Sequence, residues 1–239
     1  MIKEALEYLA DLGEPKIIEA AGLVHSSKEI FPVLHPEAAT IKVTSLTALA
    51  QYLKDNPDEI KNDVMIHVAG PTRVEVKGPM FGQFRQRDVF MTADCAEVLP
   101  ALRFNQLMEQ ESFLIMLRSA FQNVHNREEI INIASHVADN STLELSDDGI
   151  SQTINVKKGT TQLQKIKVPS PIKLSPFRTF VEVEKQPESE FVFRISAGPS
   201  FRLIEADGGA WRLKAMTAVK DWLEFKLAEL EVKYAKVIA

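Results

Sequence analysis

The chain has 239 residues, 45% hydrophobic and 26% charged, with a formal net charge of −5. That balance suits one large globular domain or two small ones and excludes global disorder, while the acidic sign argues against general nucleic-acid affinity but not against a local basic patch. A single cysteine, Cys95, permits no intrachain disulfide, and with neither a basic-then-apolar leader nor an uncharged run near the ~18 residues of a membrane span, a reducing cytoplasm is the expected setting.

Ile2, Leu6, Leu9 and Leu12 recur at helical spacing, and Gly13 with Pro15 ends that helix. Residues 23–43 read as extended, because prolines follow Phe31 and His35. A helix opens at Thr44-Ser45-Leu46, where a hydroxyl offers an N-cap and Leu46, Leu49, Ala50 and Leu53 share a face. DVMIHVAG, TRVEVKG and FRQRDVFMTA, divided by Gly70-Pro71 and Gly78-Pro79, read as strands of an antiparallel meander. Residues 105–140 form a helical insertion, with a stripe of Phe113, Met116, Leu117, Ala120 and Phe121 and a second helix starting near Asn126.

Beyond it, TLELS and ISQTINVKK read as a hairpin turning at Asp147-Asp148-Gly149, and VEVEK pairs with FVFRISA around QPESE. Three prolines in VPSPIKLSPFR (168–178) mark a rigid linker or an extended edge crossing. FRLIEA then alternates as a strand, and Trp211, Ala215, Val219, Trp222, Leu223 and Leu227 share one face of a long C-terminal helix. Between them lies EADGGAW (205–211). Asp207 is placed to cap the helix, with Gly208 and Gly209 allowing the sharp change of direction and Trp211 set against the core. A competing reading keeps WRLKA extended, with Asp207-Gly208-Gly209 as a hairpin turn and Thr217 as the cap. The sum is an α+β fold, an antiparallel sheet packed with helices, in one domain over 1–239.

Charge is uneven: residues 1–65 hold 11 acids and 6 bases, residues 151–185 hold 7 bases and 2 acids. Two solvated faces explain this. The sharper reading is a positive surface of Lys157, Lys158, Lys165, Lys167, Lys173 and Arg178, able to meet an acidic partner, a nucleic acid or the acidic half of a neighbouring subunit. Arg85 and Arg87 join it by falling on one face of a strand flanked by Phe81, Phe84 and Phe90, which could stack on bases, although an amphipathic strand gives the same pattern. Catalytic chemistry has no foothold. The histidines at 25, 35, 67, 125 and 136 lack metal-ligand spacing, Asp94 disfavours a Cys95 thiolate, and no nucleophile elbow, phosphate loop or dinucleotide fingerprint occurs. No cofactor and no catalytic residue are therefore expected.

The succession LSPFRTF (174–180), VEVEKQPESEFVFR (181–194) and EADGGAW (205–211), with HVAGPTRV (67–74) and the helix from Glu111-Ser112-Phe113, resembles the YfdQ family of phage and prophage proteins, a domain of unknown function. The resemblance implies an accessory role in a bacterial host cytoplasm and brings no catalytic residues with it. Expected partners are copies of the chain itself in a homo-oligomer, or alternatively a nucleic acid or nucleotide in phage replication, recombination or counter-defence; no membrane partner is expected.

Overall fold

A mixed five-stranded sheet and a four-stranded antiparallel sheet carry the two hydrophobic cores of this α+β protein. The computed structural model describes residues 2–13, 16–20, 23–26, 39–81, 85–137, 143–145, 152–158, 162–196, 198 and 200–239. The chain divides into two compact units, Met1–Ala38 and Ala39–Ala239. In the first, helix α1 (Ile2–Gly13) precedes an antiparallel pair, β1 (Ile17–Ala20) and β2 (Leu23–Ser26). Residues 27–38, expected to be extended, lie outside the described residues.

The second unit begins with β3 (Ile41–Val43), α2 (Leu46–Asp55), β4 (Val64–Gly70), β5 (Arg73–Phe81) and β6 (Gln86–Asp94). There follow β7 (Met108–Glu109), α3 (Gln110–Ala120), α4 (Arg127–His136), β8 (Leu143–Leu145), β9 (Gln152–Lys158) and β10 (Gln162–Val168). It ends with β11 (Ile172–Leu174), β12 (Ser189–Ser196), β13 (Ser200–Glu205), α5 (Trp211–Glu229) and β14 (Ala235–Ile238).

The order β14-β4-β5-β6-β3 makes the larger sheet. Its centre is the antiparallel meander that alternation in the sequence predicts. Val64, Ile66, Val68, Val74, Val76, Met91 and Ala93 are buried in one core with Leu46, Leu49 and Leu53 of α2 and Val219, Leu223 and Leu227 of α5. The sheet departs from expectation at both margins, where β3 joins β6 and β14 joins β4 in parallel. These are pairings between distant segments, which local periodicity does not encode. Helix α2 starts as its sequence implies: Ser45 Oγ accepts from Ala48 N–H at 3.2 Å, and Glu182 Oε1 accepts from Thr47 N–H at 3.0 Å.

The second core lies between α3, α4 and the sheet β11-β12-β13-β7, with Ile154 and Val168 from the sheet β10-β9-β8. Phe113 stacks on Phe193 and Phe201 with ring centroids 5.7 and 5.1 Å apart. The two helices of the expected insertion are present. Strands β8 and β9 pair antiparallel as Leu145–Gln152, while the Asp147-Asp148-Gly149 turn lies outside the described residues.

One expected strand is absent. Residues 181–185 form turns, and β12 pairs instead with β11 and β13. The cause is visible in the burial: Phe180 and Val183 both enter the first core across a turn closed by Val183 N–H to Phe180 O at 3.1 Å, leaving Val181 outside. The segment from Ser175 to Gln186 thereby stitches the cores together. Ser175 O accepts from Gln122 N–H and Phe177 N–H donates to Ala120 O on the second core, whereas Thr179 Oγ1 donates to Pro71 O and Glu182 reaches α2 on the first.

Gln186 closes the stitch. It is buried with its whole side-chain capacity in use: Oε1 accepts from Arg178 and Thr179 N–H at 3.1 and 3.3 Å, and Nε2 donates to Phe180 O and Val183 O at 3.1 and 2.9 Å. Gln186→Leu keeps the size and strands the N–H groups of Arg178 and Thr179 and the carbonyl of Val183, while Phe180 O keeps its bond from Val183 N–H. Since each buried group left unpaired costs about 1–3 kcal/mol, the variant should lose at least about 3 kcal/mol of unfolding free energy. A urea titration reads this as a lower midpoint at unchanged slope.

Candidate functional site

The polar residues that converge most tightly come from the three sequence blocks 174–180, 181–194 and 205–211. Arg178 follows β11, Ser189 opens β12, Glu205 ends β13, Asp207 lies in the turn after it, and Trp211 opens α5. Arg178 is only 5% exposed. Its Nη1 donates to Glu205 Oε1 and its Nη2 to Ser189 Oγ. The guanidinium lies 4.0 Å from the centroid of Trp211 and 5.9 and 6.0 Å from those of Phe104 and Phe191. Ser189 Oγ in turn donates to Asp207 Oδ2 at 2.6 Å, and Asp207 Oδ1 accepts from Gly209 N–H at 3.0 Å. Burial works to lower the Arg178 pKa, against the opposing pull of Glu205 and Asp207.

Three sequence expectations change here. Arg178 does not belong to a basic surface, because its charge is met by carboxylates and its faces by aromatic rings. Asp207 does not occupy the helix cap itself. Gly208 and Gly209, at φ 61° and 82°, curl the chain into a turn in which Ala210 N–H donates to Asp207 O at 3.1 Å, so the carboxylate is used inside the turn and Ala210 takes the cap position without a side-chain bond. Trp211 is half-buried under Arg178, outside the apolar cores. The extended reading of WRLKA is set aside, since α5 starts at Trp211.

The other basic residues are spread over three sheets. Arg85 sits exposed at φ 53° outside the strand, whereas Arg87 lies within β6 and donates to Gly78 O at 2.8 Å, so the two do not form one strand face. Phe90 packs on the first core, and Phe84 lies outside the described residues. Lys157 and Lys158 stand opposite Leu163 and Gln162 in the β9–β10 ladder; Lys165 and Lys167 are exposed on β10. Lys173 on β11 turns to Glu188 at 3.7 Å.

Two clefts are polar. One, of about 230 Å³, is lined by Lys173, Glu188, Ser189, Glu190, Asp207 and Lys214. Glu188 at its rim draws Lys173, Lys214 and His125 to 3.7, 3.8 and 3.5 Å. The other, of about 370 Å³, lies at the β3–β6 margin among Lys42, Thr44, Arg73, Thr92, Asp94 and Glu97. Nearby, a hydrogen bond from Lys77, opposed by burial and aided by Arg73, holds the Glu75 carboxyl below its ordinary range.

In the smaller cleft the Ser189 hydroxyl stands beside the Asp207 carboxylate. Ser189 is buried, its proton directed to Asp207 and its oxygen approached by Arg178. Cys95 is also buried, and burial, reinforced by Asp94, pushes its thiol up to about 12. Among the described residues no group of three or more metal-ligating side chains converges, and no helix is long and apolar enough to cross a membrane. Sequence reasoning missed Gln186, Ser189 and Glu205; their only signal was membership of the same three blocks as Arg178 and Asp207. No known protein family, curated protein or solved structure matches the chain.

Two outcomes follow from the electrostatics. Partial burial works to raise the Asp207 pKa, but hydrogen bonds from Ser189 and Gly209 and the nearby Arg178 charge hold it below the ordinary value. A carboxylate depressed on folding contributes stability above its unfolded pKa and loses it as pH falls through the folded one. Thermal unfolding should therefore separate the wild type from Asp207→Asn near neutrality and bring them together below about pH 4. Cys95 should resist a thiol-reactive disulfide at about pH 8 in the folded protein and react fully once urea unfolds it.

Proposed function

We propose that the chain is a phage-type accessory protein that acts by associating with copies of itself and carries no catalytic activity. The resemblance of 67–74, 174–194 and 205–211 to the YfdQ family supports the setting. The observation that carries the self-association is a two-stranded arm, polar along β6, that exposes two large apolar side chains. Strands β5 and β6 pair out to Met80–Arg87 and Phe81–Gln86, but β4 accompanies β5 only as far as Met65–Lys77 and β3 accompanies β6 only as far as Ile41–Met91. Among the described residues the outer part is a two-stranded ribbon with no neighbouring strand, a form that is marginal alone in water. Its described part includes Met80 and Phe81, 50% and 39% exposed.

Growth of the sheet itself is a poor route to assembly. The margins β3 and β14 are three and four residues long, and each carries an exposed lysine, Lys42 or Lys236. Short, lysine-bearing edges resist pairing with another sheet. Association through side chains of the arm is the better-supported route. Native mass spectrometry should find a defined multiple of 26.8 kDa, and a strictly monomeric species at high protein concentration would refute the reading.

A further inference from the structure

The ladder of β12 and β13 fixes what stands on the outer side of the four-stranded sheet. Its register pairs Phe193 with Leu203 and Ile195 with Phe201, and all four enter the second core. Side chains alternate along a strand, so the same register sets Arg194 opposite Arg202, and Ser196 opposite Ser200, on the face turned away from that core. These four side chains are half-buried. Directly opposed side chains have Cβ atoms about 4.5–5.5 Å apart, and like charges so placed destabilise the pairing.

Arg178 is buried with Glu205 and Ser189 on its Nη atoms. Arg202 has no such match: among the described residues it forms no hydrogen bond or ion pair, and its Nε is buried without a partner. Strand β7 brings Glu109 opposite Ser200, but that carboxylate is exposed and makes no ion pair with Arg202. A buried donor without an acceptor costs free energy, and a guanidinium offers a planar fork that matches an oxyanion. We propose that this face binds a phosphate dianion, free or carried as a phosphomonoester, between Arg194 and Arg202. Its charge of about −1.5 to −2 at pH 7 offsets two cations, and it has more oxygens than a carboxylate, leaving acceptors for the hydroxyls of Ser196 and Ser200. Turning the Arg202 fork out to the ligand gives the unpaired Nε an acceptor. The site uses none of the residues of the arm and stands independently of self-association.

Thermal unfolding and titration calorimetry with inorganic phosphate test the site, against sodium chloride at matched ionic strength. A ligand of the folded state raises the unfolding midpoint. The wild type should show that rise, and Arg202→Gln should lose it, with affinity weakened at least ~tenfold. In chloride alone Arg202→Gln should unfold no lower than the wild type, because it removes a like-charge pair and the buried Nε. Should Arg202→Gln fail to fold, Arg202→Lys takes its place. It keeps the charge but loses the fork, so binding should weaken while the midpoint in chloride stays.

A nucleoside 5′-monophosphate supplies the second arm of the experiment. Equal affinity for it and for inorganic phosphate places recognition in the phosphate alone, whereas tighter binding of the nucleotide identifies a phosphomonoester as the ligand. A midpoint that responds to neither probe more than to chloride, or a rise of the same size in a folded Arg202 variant, would overturn the site. So would a single-stranded oligonucleotide without terminal phosphates that binds through Arg202 while both smaller probes leave the protein unchanged; the face is then a nucleic-acid contact.

Discussion

The guanidinium of Arg178 is the point on which the second unit turns. A buried cation needs its charge matched, and removing a partner leaves a charge in a medium that solvates it poorly. Glu205 and Ser189 supply the match at the ends of two adjacent strands, Trp211 covers one face at the start of α5, and Asp207 secures Ser189 from behind. Four successive segments between residues 178 and 211 are thereby held together. Losing Glu205 would leave the buried cation without its nearest counter-charge.

From that anchor the chain between Ser175 and Gln186 crosses from one core to the other, giving each a few side chains and backbone bonds. Its irregular path carries many backbone groups away from water, and the carboxamide of Gln186 satisfies four of them at once. The Arg178 cluster adjoins this crossing, with Arg178 itself lying on the segment. Its hydrogen bonds close on one another, and the buried hydroxyl at its heart has no proton to give beyond Asp207. Among the described residues, Arg178 Nε and Trp211 Nε1 are buried without a hydrogen-bond partner, and Met80, Phe81 and Ile115 are apolar and face outward.

Much of the local structure was legible. Apolar spacing placed α2, α3, α4 and α5, the hydroxyl of Ser45 marked a helix start, and alternation marked β4, β5, β6 and β13. Long-range pairing was not, because nothing in Ala235–Ile238 names Val64–His67 as its parallel neighbour. The reading of Val181–Lys185 as a strand failed for a related reason: Phe180 and Val183 are both apolar and both buried, but a turn, not a pleat, brings them to the same core. Arg178 misled differently. Charge counted along a sequence assumes that a cation faces water, and only the fold reveals the tryptophan, the glutamate and the serine that make its burial possible. Of the candidate site, Asp207, Gly208, Gly209 and Trp211 were grouped as a junction, while Arg178, which touches Trp211 and reaches Asp207 through Ser189, had been assigned to the surface.

The parallel pairing of β14 with β4 has a bearing on biosynthesis. Val64 and Ala235 are neighbours in the sheet, so the ribosome must complete nearly the whole second unit before the outer edge of β4 gains its cover. Loop closure over such a separation is slow, and an uncovered hydrophobic strand is prone to pair wrongly in the meantime. The nascent chain therefore passes through a long interval in which the first core holds a meander and α2 but lacks both α5 and its last strand. Until α5 and β14 are made, β4 lacks both the helix that covers its apolar face and the strand at its outer edge.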